Sequence, residues 1–293
     1  MAKPPPRNVG ASVRQRLLNL SRAGGVAFDI LLTRYVLERL LYRLTLTPHA
    51  DRFVLKGAML VTTWFADAYR QTRDIDLLGF GSPAPDAMLA VFREVCAVPL
   101  DDGVEIDGAG LRVETIRDAL EYGGLRLRTA AAVAAARVAV VIDIGFGDAT
   151  EPGLEHINLP VLLDQPAPRL MAYARETVIA EKFQAIVLLG LANTRYKDFY
   201  DLFVLSKSYV FDDDRLARAI AATFERRRTA IPIEPPEALT PVFAGDPTRR
   251  RQWATYIEDL GLAGLGLGEV TAGLALFLMP HAERARGLSA ARI

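Results

Sequence analysis

Asp74-Ile75-Asp76-Leu77-Leu78-Gly79-Phe80-Gly81 reads DIDLLGFG, and its alternation of polar and apolar side chains predicts a β-strand rather than a helix. In a strand, residues two apart share a face, so Asp74 and Asp76 project together while Ile75 and Leu77 point into a core. Working outward, the preceding VLKGAML at 54–60 is a short apolar run broken by Lys56 and Gly57, the end of one element turning into a helix. A helix is expected from Asp86 to Val98, followed by extended segments at Asp102–Ile116, Tyr122–Thr129 and Arg137–Gly145. Upstream, Ser12–Ala23 and Val26–Leu44 carry helical apolar spacing, an N-terminal pair. From Arg175 the period becomes that of helices, near 175–191, 197–208, 212–228, 247–260 and 269–287.

This order predicts an α/β (α+β) fold: a mixed sheet with flanking helices, an N-terminal helical pair and a helical C-terminal region. Residues 1–10, rich in proline, are expected to be flexible, 11–165 to form the α/β core, and 166–293 the helical region. The proline-rich stretches LPVLLDQPAP (159–168) and IPIEPPEALTP (231–241) mark weak boundaries, since helices do not run through them.

Composition narrows the chemistry. The 293 residues are 51% hydrophobic and 24% charged, so the chain can bury a core and is not a disordered or fibrous protein. Lys+Arg and Asp+Glu both number 35, so no global field draws it onto a polyanion, and any such partner must be held by a local patch. A single cysteine, Cys96, and three scattered histidines exclude an internal disulfide and a zinc cluster. The start of the sequence lacks the apolar core of a signal peptide and no uncharged apolar run is long enough to span a bilayer, so a cytoplasmic protein without a membrane partner is expected. Walker A, G-x-G-x-x-G, G-x-S-x-G and H-E-x-x-H are all absent; in GFGSPAP (79–85), Pro83 and Pro85 argue against a phosphate loop opening a helix.

The chemistry is therefore left to carboxylates and lysines. Two bare carboxylates about 4 Å apart repel by roughly 4 kcal/mol at an effective dielectric near 20, so Asp74 and Asp76 in one cleft call for a divalent cation or a shared proton. A surface strand alternating Asp out and Ile in would look the same. Asp143, in VAVVIDIGFGD (138–148), is a third candidate, on the face of its strand opposite Ile142 and Ile144. Three carboxylates on adjacent strands would make a cradle for Mg²⁺ or Mn²⁺ of the kind used in phosphoryl transfer. Only five lysines occur among the basic residues, and two stand out: Lys56 beside Gly57, and Lys182 at the edge of a buried stripe. A buried-edge lysine needs an anion, which Asp198 or Asp201 in RYKDFYDLFVL (195–205) could supply as an ion pair between helices, or which a triphosphate could supply instead.

VLKGAML, TRDIDLL, VIDIGFGD and EKFQAIVLLGLANTRYKDFYDLFVL, in this order over about Phe53–Leu205, resemble the AbiEii/AbiGii nucleotidyltransferase toxins, including their MenT branch. The resemblance implies a polymerase β-like nucleotidyltransferase core and a toxin of a toxin–antitoxin pair that moves a nucleotide from an NTP to an acceptor hydroxyl, here the tRNA 3′ end, releasing pyrophosphate. It implies that Asp74 and Asp76 hold the metal with Asp143 as the third carboxylate, and that Lys56, Gly57 and Ala58 lie in the phosphate-binding first motif. Lys182 would contact the triphosphate, and Asp198 would be the late essential aspartate. Ala58 stands where the family often has serine or glycine, so backbone donors would serve alone. Thr72 occupies the position at which related toxins can be phosphorylated by the cognate antitoxin. Two arginine triplets, 226–228 and 249–251, are candidate RNA contacts or simply solvated helix ends. The residues by themselves leave room for a protein or small-molecule acceptor, for a metal-dependent nuclease, and for a binding module whose aspartate pairs are structural.

Overall fold

A computed structural model describes residues 8–65, 72–116 and 123–290. The chain divides into two compact units, one of Met1–Gly147 with Glu155–Ala172, the other of Asp148–Leu154 with Tyr173–Ile293. Most of the expected flexible start, residues 1–7, lies outside the described residues, and Val9 and Gly10 already belong to a helix.

The first unit opens with α1 (Val9–Gly24) and α2 (Phe28–Thr45). Asn8 caps α1 by accepting a hydrogen bond from the Ala11 N–H at 2.9 Å, and Gly25 ends it in the left-handed region. Next come β1 (Phe53–Lys56), α3 (Gly57–Val61), β2 (Ile75–Gly79) and α4 (Pro85–Ala97). Pro85 is thus the first residue of a helix rather than an obstacle to one, because a missing N–H costs nothing there. The sheet is completed by β3 (Val104–Ile106), β4 (Arg112–Ile116), β5 (Gly124–Val133), β6 (Ala136–Phe146), β7 (Leu154–Asn158) and β8 (Arg169–Tyr173). Their order is β3-β5-β6-β2-β1-β8-β7, with β4 beside β5. The sheet is mixed: β1–β2 and β5–β6 are antiparallel, whereas β2–β6 and β1–β8 are parallel.

Three points differ from the sequence expectation: 102–116, expected as one extended segment, forms the two strands β3 and β4, and neither β7 nor β8 lies in an expected segment. The proline-rich 159–168, read as a boundary, joins β7 to β8, and β8 was not anticipated because RLMAY, largely buried, shows no alternation. Elsewhere the alternation is plain. Ile75, Leu77, Leu125, Leu127, Ile142 and Ile144 are all buried, and α1 and α2 pack against β5 and β6. The other face carries the charged residues.

Charge also enters the interior. Arg39 and Arg43 of α2 converge on Asp102, which is 1% exposed; Arg43 forks it at 2.7 and 3.0 Å and Arg39 adds a bond at 3.1 Å. The carboxylate in turn accepts the Val104 N–H, tying α2 to the start of β3.

The second unit is helical: α5 (Arg175–Leu189), α6 (Tyr196–Ser208), α7 (Asp213–Arg226), α8 (Pro241–Gly245), α9 (Pro247–Asp259) and α10 (Leu267–Ala290). α5 packs on α7, and α10 on α6 and α7. The seams are aromatic, with Phe183 against Phe224 at 5.3 Å and Phe199 stacked on Phe243 at 5.5 Å. Asp212 and Asp246 cap α7 and α9.

Candidate active site

Strand register builds the site. Glu114 of β4 lies opposite Arg126 of β5, Arg126 opposite Asp143 of β6, Asp143 beside Asp76 of β2, and Asp76 opposite Lys56 of β1. One row of side chains thus crosses five strands on a single face, and its charges run negative, positive, negative, negative, positive. Asp74, just before β2, joins the row from the neighbouring position. Ligand atoms of Asp74, Asp76 and Asp143 all lie within 4.8 Å of one another, and all three residues are half-buried.

Oxygen-only donors at this spacing suit a hard divalent cation such as Mg²⁺. A second observation supports the fit: the backbone is shaped around the carboxylate. Gly57 follows β1 and opens α3 with φ +68°, and a Cβ there would stand 1.9 Å from Oδ2 of Asp76. Only glycine leaves Asp76 where it is. Lys56 is the residue before α3, and Ala58, 6% exposed, lies in its first turn.

Arg126 belongs to this row and is not singled out by the sequence. Its Nε donates to Asp143 Oδ1 at 2.7 Å and its Nη2 to Oδ2 at 2.6 Å, a fork that engages both carboxylate oxygens. These bonds, and the further negative charge of Asp74 and Glu114, hold the guanidinium even more firmly in its charged form. A signal existed in GLRLRT (124–129), where arginines alternate with buried Leu125 and Leu127 and so share the polar face. Thr72 is also engaged: its hydroxyl is within 3.0 Å of Asp74 Oδ1 and 3.1 Å of the Asp74 carbonyl, and the residue is only 7% exposed.

In the second unit Lys182 is held between two buried carboxylates, with Nζ 2.5 Å from Asp198 Oδ1 and 2.8 Å from Asp201 Oδ2. Arg195 reaches the other oxygen of Asp198 at 2.8 Å. Burial alone would raise the Asp198 pKa, but Lys182 and Arg195 outweigh it and bring it below the usual carboxylate value. Asp198 and Asp201, offered by the sequence as alternative partners of Lys182, both pair with it. Of the arginine triplets, Arg227 is committed within this unit, donating to Glu181 at 2.8 Å and Gln184 at 3.0 Å. Arg249 donates to the Leu191 carbonyl.

The model of the family described as nucleotidyl transferase AbiEii toxin, type IV TA system, matches residues 39–265, more than half of the chain and every candidate from Lys56 to Asp201. The chain belongs to the AbiEii family. AbiEii proteins are nucleotidyltransferase toxins, so this is an enzyme of that class, and a toxin–antitoxin pair implies a cognate antitoxin. No curated protein matches the chain. Among solved structures, JHP933 from Helicobacter pylori is similar at 17% identity and a TM-score of 0.48, covering 89% of this chain and 95% of that one. A second H. pylori structure, described as a nucleotidyltransferase, has 17% identity and a TM-score of 0.49 over 89% of this chain and 98% of its own. At those scores neither bears on the assignment. The AbiEii match shows the enzyme class, the strand order and pairings show the mixed α/β fold, and among the described residues no helix is long and apolar enough to cross a membrane.

Proposed function

We propose that this AbiEii protein is a Mg²⁺-dependent toxin that transfers a nucleotide from an NTP to the 3′ hydroxyl of tRNA in the cytoplasm, blocking aminoacylation. The single observation that carries the reading is the convergence of Asp74, Asp76 and Asp143 within 4.8 Å on one sheet face, beside a glycine that nothing larger could replace. In the reaction the acceptor oxygen bonds to the α-phosphorus, the bond from that phosphorus to the β-phosphate bridging oxygen breaks, and pyrophosphate leaves with the electron pair. A divalent ion held by the three aspartates would neutralise charge on the α-phosphate and the leaving group.

The chain's own residues do the rest. Lys56 and the backbone at Gly57 and Ala58 bind phosphate oxygens, and the acceptor is oriented for in-line attack, positioning being worth several orders of magnitude. Asp143 takes the hydroxyl proton once its oxygens are released from Arg126. Lys182 keeps the triphosphate contact that the family resemblance gives it, with Asp198 and Asp201 fixing its amine. Phosphorylation of Thr72 by the antitoxin would put roughly 1.5 to 2 negative charges where a hydroxyl now lies beside Asp74, repelling the incoming triphosphate.

The test incubates purified protein with total RNA, Mg²⁺ and each labelled NTP separately, with Asp76→Ala as control. Label on the tRNA size class from one NTP, lost in Asp76→Ala, is the expected result. Label on protein or small molecules instead of RNA would overturn the acceptor, and RNA shortened without any NTP would overturn the transfer.

A further inference from the structure

We propose that Arg126 is a phosphate-released latch on Asp143: a positioning residue that keeps the third carboxylate from a divalent ion until the nucleotide's phosphates draw the guanidinium away. This rests on the metal-dependent transfer reading above.

Four observations carry it. The pairing is imposed by backbone register, since Arg126 and Asp143 stand directly opposite on antiparallel β5 and β6. The fork occupies both Asp143 oxygens, at 2.7 and 2.6 Å, so in the resting enzyme a unit positive charge sits against the one carboxylate that completes the cradle. A cation approaching Asp74 and Asp76 meets that charge, and like charges this close repel. The guanidinium is not sealed in, however: its side chain is 34% exposed against 18% for Asp143, and Nη1 makes no hydrogen bond among the described residues. An open donor on a planar fork is what a phosphate engages. A triphosphate offers several charged oxygens where Asp143 offers two, so it can take the fork over. Asp143 is then released at the moment the phosphates arrive.

The latch predicts effects of opposite sign on two ligands, which a mere structural brace does not. Mn²⁺ binding to the full chain without nucleotide, read from the loss of the free-ion electron paramagnetic resonance signal, should be about tenfold tighter in Arg126→Gln than in wild type. Affinity for inorganic tripolyphosphate, measured by calorimetry without metal, should fall about tenfold in the same variant. Arg126→Lys retains a charge but cannot span both oxygens, and should shift both affinities in the same directions by a smaller factor. It carries the test should the glutamine variant fail to melt cooperatively. Mn²⁺ affinity that is unchanged or weaker in the folded variants, while wild-type binding still depends on Asp76, overturns the latch alone. Wild-type and variant binding no better than that of Asp76→Asn overturns the metal reading, and the latch with it.

Discussion

Gly57→Ala puts the site's geometry to a direct test. The new Cβ would lie 1.9 Å from Asp76 Oδ2, 2.5 Å from its Cγ and 2.6 Å from its Cβ, at a residue with φ +68°. Relief cannot come from the alanine, whose position is fixed by β1, so Asp76 must retreat by roughly 1.5 Å to reach ordinary contact. Two costs follow and differ in size. The left-handed backbone costs a non-glycine residue about 1–2 kcal/mol, which in a chain of this size lowers the melting temperature by a few degrees. Displacing a catalytic carboxylate by more than an ångström costs on the order of 100-fold in rate. The variant should therefore fold with a modest drop in melting temperature, lose at least about 100-fold in nucleotide transfer, and bind Mn²⁺ about tenfold or more weakly. Full transfer activity together with wild-type Mn²⁺ affinity would show that Asp76 does not work from the position described, and the reasoning would fail.

Three further predictions concern other residues of the chain. Asp102→Ala strands Arg39 and Arg43 in the interior and should destabilise the chain by about 3–5 kcal/mol in urea denaturation, whereas an exposed ion pair of the same kind would cost less than about 1. Asp198 has a folded pKa below its unfolded value of about 3.9, so its stabilisation is complete above that value and is lost as pH falls through the folded one; urea midpoints should hold between about pH 7 and 5, drop below about pH 4, and drop less in Asp198→Asn. A steep loss already between pH 6 and 5 would contradict this assignment. Thr72→Ala loses the hydroxyl bond to Asp74, with an expected destabilisation of about 1 kcal/mol, and in a growth assay should escape silencing by the antitoxin; a variant still fully silenced refutes the modification.

Much of this could be read from sequence, for physical reasons. α7 and α9 are visible because apolar residues recur at the helical period and an aspartate precedes each as cap, so 212–228 and 247–260 were nearly their observed spans. β2 is visible because Ile75 and Leu77 face the core while Asp74 and Asp76 do not. What stayed hidden depends on pairing between strands. β8 offers five residues with no polar alternation, and its place beside β1 is set by a tertiary contact rather than by local preference. Arg126 stayed hidden for a related reason. It meets Asp143 only if β5 and β6 turn back on each other at Ala134 and Ala135, and that turn carries neither the Asn-Gly nor the Asp-Gly that usually announces a hairpin.

That turn sets the chemistry of the site. Val133 pairs with Ala136, and Ala134 takes φ 52°, a conformation alanine rarely adopts. Every pair down the ladder inherits this register, so Arg126 reaches Asp143 because the turn is two residues long. One residue more or less would set Arg126 across from Ile142 or Ile144, and the β6 carboxylate would turn onto the face that packs against α2. A charged group there would lack Arg126, at a cost of several kcal/mol, so the apolar face polices the register that aligns the charged one. The parallel pairing of β2 with β6 then carries the same register to Asp76, and β1 carries it to Lys56. The row of charges across five strands, with its two adjacent carboxylates, is thus a consequence of core packing on the opposite face.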